Sequence, residues 1–431
     1  EAVERSTICN GIELLRVENP LNDVFSLTIE YKVGDAAIPM LEYASQGMAM
    51  GGAGDYSVSQ LKEEFAKIGT SYSIWSTRNS TYIDIQGLEA NLPRTLELVG
   101  LIVSNPTLDQ AKIKTIIDGE KTNRKMERSE PDNVAQALLE YGLYSNESSY
   151  LNRLPLKQVK KLQAADLVAA FKKATTYTGQ IRFSGKTSLA SVSDMVKQYI
   201  PFAENPATDA TLLDQPTQQY TENTILFVNK PKARQSKMFV FVNGQPFTKD
   251  KAVAIEAFNN YFGGGFNGLI LQEIREYRSL AYSAGGSFRM PRQAGKPYNF
   301  VGYVGTQADK TLIAMETFDG LIRNMPEKPE RTGMIRSYLQ LSAQTDRPSF
   351  RGLAASVERW KIQGYDKDPV LYKLPEYKNI TWETIKNFYT AEMQYKPVVY
   401  MIVGDKKSID MKELAKYGKI VEIKEKALFT K

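Results

Sequence analysis

No histidine occurs anywhere in the 431 residues, and Cys9 is the single cysteine. That inventory bounds the chemistry. A serine or cysteine nucleophile has no imidazole to activate it, so the common hydrolase triads are missing. Zinc sites draw on thiolate and imidazole, and one cysteine does not supply them. Carboxylates alone form an oxygen set that suits magnesium or calcium and comes in larger numbers than two. A Ser–Lys pair stays open, with no motif marking one. Gly263, Gly264 and Gly265 stand before a helical stretch as a phosphate cradle would. No G-K-[ST] follows and no strand with an acidic partner precedes, which argues against nucleotide binding. The plainer use of the three glycines is a tight turn that lets the next helix pack closely.

The elements that must position any such chemistry are legible as periods. In "VFSLTIEYKV", residues 24–33, the side chains of Phe25, Leu27, Ile29, Tyr31 and Val33 share one face, the period of a half-buried strand. In "SVSQLKEEFAKIG", 57–69, Val58, Leu61, Phe65 and Ile68 make a helical stripe. Ser57 and Gln60 fit a capping box, and Gly69 is placed to end the helix. A second strand is expected at 80–88, then a long helical region through "RTLELVGLIVSNP" and "QAKIKTIIDGEKTNRKMERSEPDN".

This order recurs. "VENP" at 17–20 returns as "VNKP" at 228–231, and "GLIVSNP" at 100–106 returns as "GLIRNMP" at 320–326. A helical stretch and then "SEP" (129–131) or "DRP" (346–348) follows each of the latter. Between the copies lies a stretch rich in Pro, Thr, Asp and Gln without periodicity, as a linker should be. We read an α+β protein of two homologous domains, 1–204 and 223–431, joined by a linker at 205–222, each a mostly antiparallel sheet packed by helices. At 48.5 kDa, two domains are also the default by size. The net charge of +6 is spread along the chain, which argues against a nucleic-acid face. No apolar run reaches the roughly 20 residues of a membrane span. The chain opens at Glu1 without Met or a leader, and is expected to be a soluble processed subunit or an excised half of a longer protein, in the bacterial periplasm or cytoplasm.

Residues 259–288, "NNYFGGGFNGLILQEIREYRSLAYSAGGSF", resemble the C-terminal domain of the M16 zinc metallopeptidases, the pitrilysin, insulysin and mitochondrial-processing-peptidase group. With that word in view, "NGIELLRVENP" resembles the family's opening strand, and "GTSYSIWSTRNSTYIDI" one of its sheet strands. "ITWETIKNFYTAEM" resembles its closing helix and "VVYMIVGD" its last strand. The resemblance implies a bowl-shaped half-enzyme. The family's H-x-x-E-H helix holds zinc through two histidines and uses the glutamate as general base. Laid on this sequence it falls on Pro39-Met40-Leu41-Glu42-Tyr43: Glu42 keeps the base position, while Pro39 and Tyr43 replace both histidines. Glu120 lies at the separation of the family's third ligand. The expectation is no metal in this chain, no peptide hydrolysis unaided, and Glu42 and Glu120 as ordinary solvated or salt-bridged helix carboxylates.

What the resemblance leaves to such a chain is assistance. The family's zinc-free half supplies an arginine and a tyrosine to the partner's active site; here these are Arg275 and Tyr282. Both are donors able to hold a substrate backbone or an oxyanion. The alternative roles are a helix C-terminal cation for Arg275 and a packing residue of the sheet face for Tyr282. Arg278 reads as a structural salt-bridging residue. A family edge strand that pairs with substrate corresponds to Ser73–Tyr82, although Ser73 and Ile74 stand where the family has Asn-Ala. The implied partners are an H-x-x-E-H-bearing half, which would carry the zinc, and a peptide substrate. The competing expectation is a purely structural homologue that serves as scaffold in a larger complex, like the core proteins of a respiratory complex.

Overall fold

In a computed structural model, residues 2–211, 215–264, 268–276 and 279–431 are described, apart from the side chains of residues 275 and 276. The first six-stranded sheet contains β1 (Glu4–Cys9), β2 (Ile12–Glu18), β3 (Val24–Tyr31), β4 (Ser71–Ser76), β5 (Thr81–Leu88) and β6 (Gly179–Gly185). Their spatial order is β1-β2-β6-β3-β5-β4. The second contains β7 (Thr224–Asn229), β8 (Gln235–Val242), β9 (Ser283–Phe288), β10 (Phe300–Gln307), β11 (Val399–Gly404) and β12 (Lys419–Glu422). It runs β9-β10-β8-β11-β7-β12, and its first five strands repeat the order β4-β5-β3-β6-β2 of the first sheet. The edge strands differ: β12 ends the chain's strands and is parallel to β7, while β1 begins them and is antiparallel to β2. In each sheet one inner pair is parallel, β2 with β6 and β7 with β11, and most other pairs are antiparallel. Five strands of one topology in each sheet are what a duplicated unit produces. No helix among the described residues is long and apolar enough to cross a membrane.

The helices repeat in the same way. The first copy carries α1 (Leu41–Ala49), α2 (Val58–Lys67), α3 (Leu92–Ser104), α4 (Ile113–Met126), α5 (Pro131–Tyr144) and α6 (Ala164–Ala174). The second carries α7 (Ala252–Phe262), α8 (Thr311–Arg323), α9 (Thr332–Thr345), α10 (Leu353–Ile362) and α11 (Trp382–Tyr389). The echoed words "GLIVSNP" and "GLIRNMP" fall at the ends of α3 and α8. In each case a proline follows, where it can no longer interrupt a helical hydrogen bond.

Local signals explain the boundaries. Ser57 and Gln60 form the capping box of α2, and Gly69 follows that helix with φ +64°. Phe25, Leu27, Ile29 and Tyr31 of β3, and Val33 just beyond it, are all buried against α1, α3, α4 and α6. The long helical region of the sequence is divided into three helices. Asn105 and Pro106 end the first, and Pro131 opens the third at a position where its missing N–H costs nothing. Two strands lie outside the expected ends: β1 precedes the opening strand and the short β12 follows "VVYMIVGD". Both are mixed polar strands without a clean apolar face.

The parallel inner strands need cover on both faces, and the two copies exchange it. Every residue of β11 is buried, which explains its unbroken apolar run. One face of the second sheet packs on α7, α8, α9 and α11. On the other, Leu226, Phe241, Met401 and Val403 pack against Val134, Leu138 and Leu139 of α5, a helix from the first copy. Reciprocally, Ala354 of α10 packs on Leu15 and Val17 of the first sheet. Arg5 reinforces that contact by pairing with Glu358 at 2.7 Å.

Leu138→Ala is expected to destabilise the chain by about 2–5 kcal/mol, the range for a buried leucine truncated in a closed core. The urea midpoint followed by circular dichroism measures it. A loss below about 1 kcal/mol would mean that α5 merely lies on the second sheet.

Candidate functional site

The degenerate motif begins where its helix begins. Pro39 lies just before α1, whose N-cap is Met40, so the first former ligand position is outside the helix. Tyr43, in the second, is 1% exposed. Its hydroxyl donates to Glu120 and accepts from Arg124 Nη2 at 3.2 Å. Glu120 and Arg124 lie four residues apart on α4, with Nε to Oε1 at 3.3 Å and side chains only 7% and 8% exposed. Arg124 also donates to the Leu154 carbonyl. The structure thus brings Glu42, Tyr43 and Glu120 together.

Two guanidiniums complete the cluster. Arg153 binds Glu127 in a two-pronged contact of 2.5 and 2.9 Å. Arg124 and Arg153 are donor-only groups and leave no lone pair for a metal. With an arginine pairing Glu120 and a phenol in the second histidine position, the donor set does not fit zinc. Among the described residues no group of three or more His, Cys, Asp or Glu is arranged to hold a metal ion. Arg124 Nη1 and Arg153 Nε are buried without a hydrogen-bond acceptor among the described residues. An unsatisfied buried donor costs on the order of 1–3 kcal/mol.

Glu42 makes no ion pair within 4 Å among the described residues. Burial, then the negative charges of Glu120 and Asp35, push its carboxyl up to about 7, against the opposing pull of Arg153 and Arg124. Asp35 is itself raised by burial although Arg78 pairs with it at 3.1 Å. Arg124 could have been found from its spacing four residues after Glu120. Arg153 arrives from a loop, and no local pattern announces it.

The second locus lies on the other sheet. Tyr282 precedes the edge strand β9 and is 44% exposed. Its hydroxyl donates to Gln235 Oε1 at 3.2 Å, and its ring lies on Gly305, where an added Cβ would come within 2.7 Å of it. Burial and the charge of Asp132, from α5, raise the phenol above its ordinary value. Tyr282 lines a cavity of about 570 Å³ together with Gly263, Gly264, Arg289 and Tyr303. A Cβ on Gly263 would stand 1.7 Å from the Gly286 carbonyl, so this glycine serves close packing against β9. The backbone of Arg275 belongs to a π-helical turn, Leu271–Glu276. The Arg275 side chain, Gly265 and Arg278 lie outside the described residues. Of the segment Ser73–Tyr82, residues 73–76 lie on the edge strand β4, and Thr81 and Tyr82 on its neighbour β5.

A model of the peptidase M16 inactive domain matches residues 180–329. The chain is 21% identical over 351 residues to an uncharacterized zinc protease of Bacillus subtilis, YmxG, covering 79% of this chain and 82% of that protein. Among solved structures, the peptidase M16 inactive domain from Pseudomonas fluorescens matches with a TM-score of 0.74 at 16% identity, over 94% of this chain and 98% of the other. The periplasmic protease PqqL from Escherichia coli matches with a TM-score of 0.71 at 15% identity, over 94% of this chain and 47% of the other. The fold is that of these solved domains, and the chain contains no histidine. Residues 180–329 thus carry an M16 match, the chain as a whole is similar in fold to an M16 domain, and its sequence has no H-x-x-E-H motif.

Two outcomes follow from the buried cluster. Glu42 titrates near 7 when folded and near its ordinary 4.5 when unfolded. Between those values the folded chain holds a proton that unfolding releases, so the stability this group contributes is complete below about 4.5 and is lost as pH rises through about 7. Glu42→Gln is expected to flatten that decline and to exceed the wild type in stability above pH 7. Urea midpoints from pH 4.5 to 8 test it, and parallel curves for both proteins would count against the assignment. Arg124→Met leaves Glu120 buried and unpaired, with an expected loss of about 3–5 kcal/mol. The double change Glu120→Gln, Arg124→Met should recover most of it in the same assay.

Proposed function

We propose that this chain is the non-catalytic half of an M16-type zinc peptidase, closing a chamber with an H-x-x-E-H-bearing half that holds the zinc. The division at 205–222 then separates two units of common descent, 1–204 and 223–431. The observation that carries the reading is the half-exposed phenol of Tyr282 at the mouth of a cavity beside the free edge of β9. The Tyr282 hydroxyl and part of its ring stay accessible to a bound group. Arg275, seven residues earlier, belongs to a π-helical turn, an irregularity that recurs at functional sites.

In this reading the partner supplies the zinc-bound water and the general base. Tyr282 and Arg275 donate to the peptide carbonyl and to the oxyanion that forms on it, and they hold the substrate backbone in register. The match to just under half of PqqL supports a half-enzyme, and the match to most of YmxG's length supports a separate subunit.

The test is cleavage of a quenched fluorescent peptide by the H-x-x-E-H half, with and without this chain. Activation by the chain is expected. Arg275→Ala or Tyr282→Phe should lower kcat/KM on the order of 100-fold while co-elution of the two halves in gel filtration is unchanged. Activation that survives both substitutions would leave the chain a scaffold, with the Gln235 bond marking Tyr282 as a packing residue.

A further inference from the structure

A second cavity, of about 1100 Å³, opens between α4, α5, the loop carrying Arg153 and the segment around β12. Among the described residues its wall holds nine lysines or arginines against two glutamates. Both glutamates are already met by a cation, Glu127 by Arg153 and Glu422 by Lys406 at 3.0 Å. Lys125, Lys160, Lys424 and Lys426 make no ion pair among the described residues, and the positive charge of the wall is left uncompensated. The two arginines with buried, acceptorless N–H groups, Arg124 and Arg153, belong to this same wall.

We propose that this cavity binds an acidic peptide segment in extended conformation. Guanidinium forks match carboxylate oxygens, and arginine clusters recur wherever acidic motifs are recognised. Three observations favour a peptide over a small anion. The volume lies above the usual range for small-molecule pockets. The wall interleaves its cations with Leu156, Val421, Ile423 and Tyr141, which would take the apolar side chains of a peptide and offer nothing to a bare phosphate. Finally, Val421 and Glu422 belong to β12, the free edge of the second sheet, whose unpaired backbone groups can hydrogen-bond an added strand. Carboxylates on that strand would meet the ammonium groups of Lys125, Lys160, Lys424 and Lys426, unpaired among the described residues. The inference extends the reading of this chain as a peptide-handling half and rests on it for the nature of the ligand.

The experiment is fluorescence anisotropy of the full chain, without any zinc-bearing partner, using a labelled twelve-residue peptide of alternating Glu and Leu. A Lys/Leu peptide of equal length and inorganic tripolyphosphate serve as comparisons. The acidic peptide is expected to bind, with affinity falling as salt rises. The triple change Lys125→Ser, Lys424→Ser, Lys426→Ser at exposed positions should weaken it roughly tenfold while the circular dichroism spectrum is unchanged. Adding Lys160→Ser, a further exposed cation of the wall, should weaken it more. Equal binding of the basic peptide, unchanged binding by the triple variant, or saturable tripolyphosphate binding without peptide binding would each overturn the proposal. Failure here leaves the Arg275 and Tyr282 reading standing, and failure of partner activation leaves this cavity's peptide site standing.

Discussion

The constraint on which the rest depends is that neither sheet can cover itself. Each contains a parallel inner pair, and such strands are stable only when both faces are buried. One copy's helices suffice for one face. The other must be covered from elsewhere, and the chain solves this by exchange: α5 crosses to the second sheet and α10 to the first. Burying each large apolar side chain of that contact is worth roughly 1.5–3 kcal/mol. Even the helix is adapted to it. Gly142, which in a helix costs about 1 kcal/mol against alanine, leaves room for Met401, whose Cε would stand 2.4 Å from an added Cβ. The linker therefore joins units that are mutually dependent, and their relative placement is fixed by core packing.

That fixed placement gives the charged cluster its character. α1 is held by α6, and α4 runs beneath it, so residues 42, 43 and 120 meet whether or not a metal is to be held. With the histidines gone, two acidic groups in a shielded place need another cation. Arg124 provides it from within the same helix as Glu120, and Arg153 from a loop. The replacement is not equivalent. A metal ion accepts electron pairs from all its ligands, whereas a guanidinium only donates, and only where an acceptor lies in its plane. The residue of that mismatch is visible: Glu42 pushed toward neutrality, and two guanidinium N–H groups without acceptors among the described residues.

The sequence displayed what depends on neighbours in the chain. The alternation of Phe25, Leu27, Ile29, Tyr31 and Val33 fixed a strand and its buried face, because a period of two leaves no second solution. The capping box of α2 was legible for the same local reason. The paired words near Pro106 and Pro326 exposed the repeat of whole elements. Hidden were features that exist only after the sheets assemble. β1 and β12 carry too little apolar pattern to be seen alone. The crossing of α5 could not be read from its stripe, since an apolar face does not name its partner. Arg153 joins the cluster through a loop contact, and the basic cavity gathers residues about 300 positions apart.

Where the donor set does not fit zinc, one constraint is absent and another remains. A zinc site requires an electronegative shell, and nine cations in the adjoining wall would oppose its charge and depress the basicity of any bound water's neighbours. Without the metal that opposition disappears, and cations may accumulate as long as each carboxylate in the wall remains paired. The packing constraint persists, because α1 and α4 still form part of a core that closes the first sheet. Helix geometry is therefore preserved where the side-chain chemistry has changed sign. On the second sheet the opposite holds: the glycines at 263 and 286 keep backbone against backbone, and Tyr282 keeps an open side beside an unpaired edge. The two sheets therefore differ: the first buries its charged cluster under α1 and α4, while the second leaves the Tyr282 phenol open to solvent at the rim of a cavity.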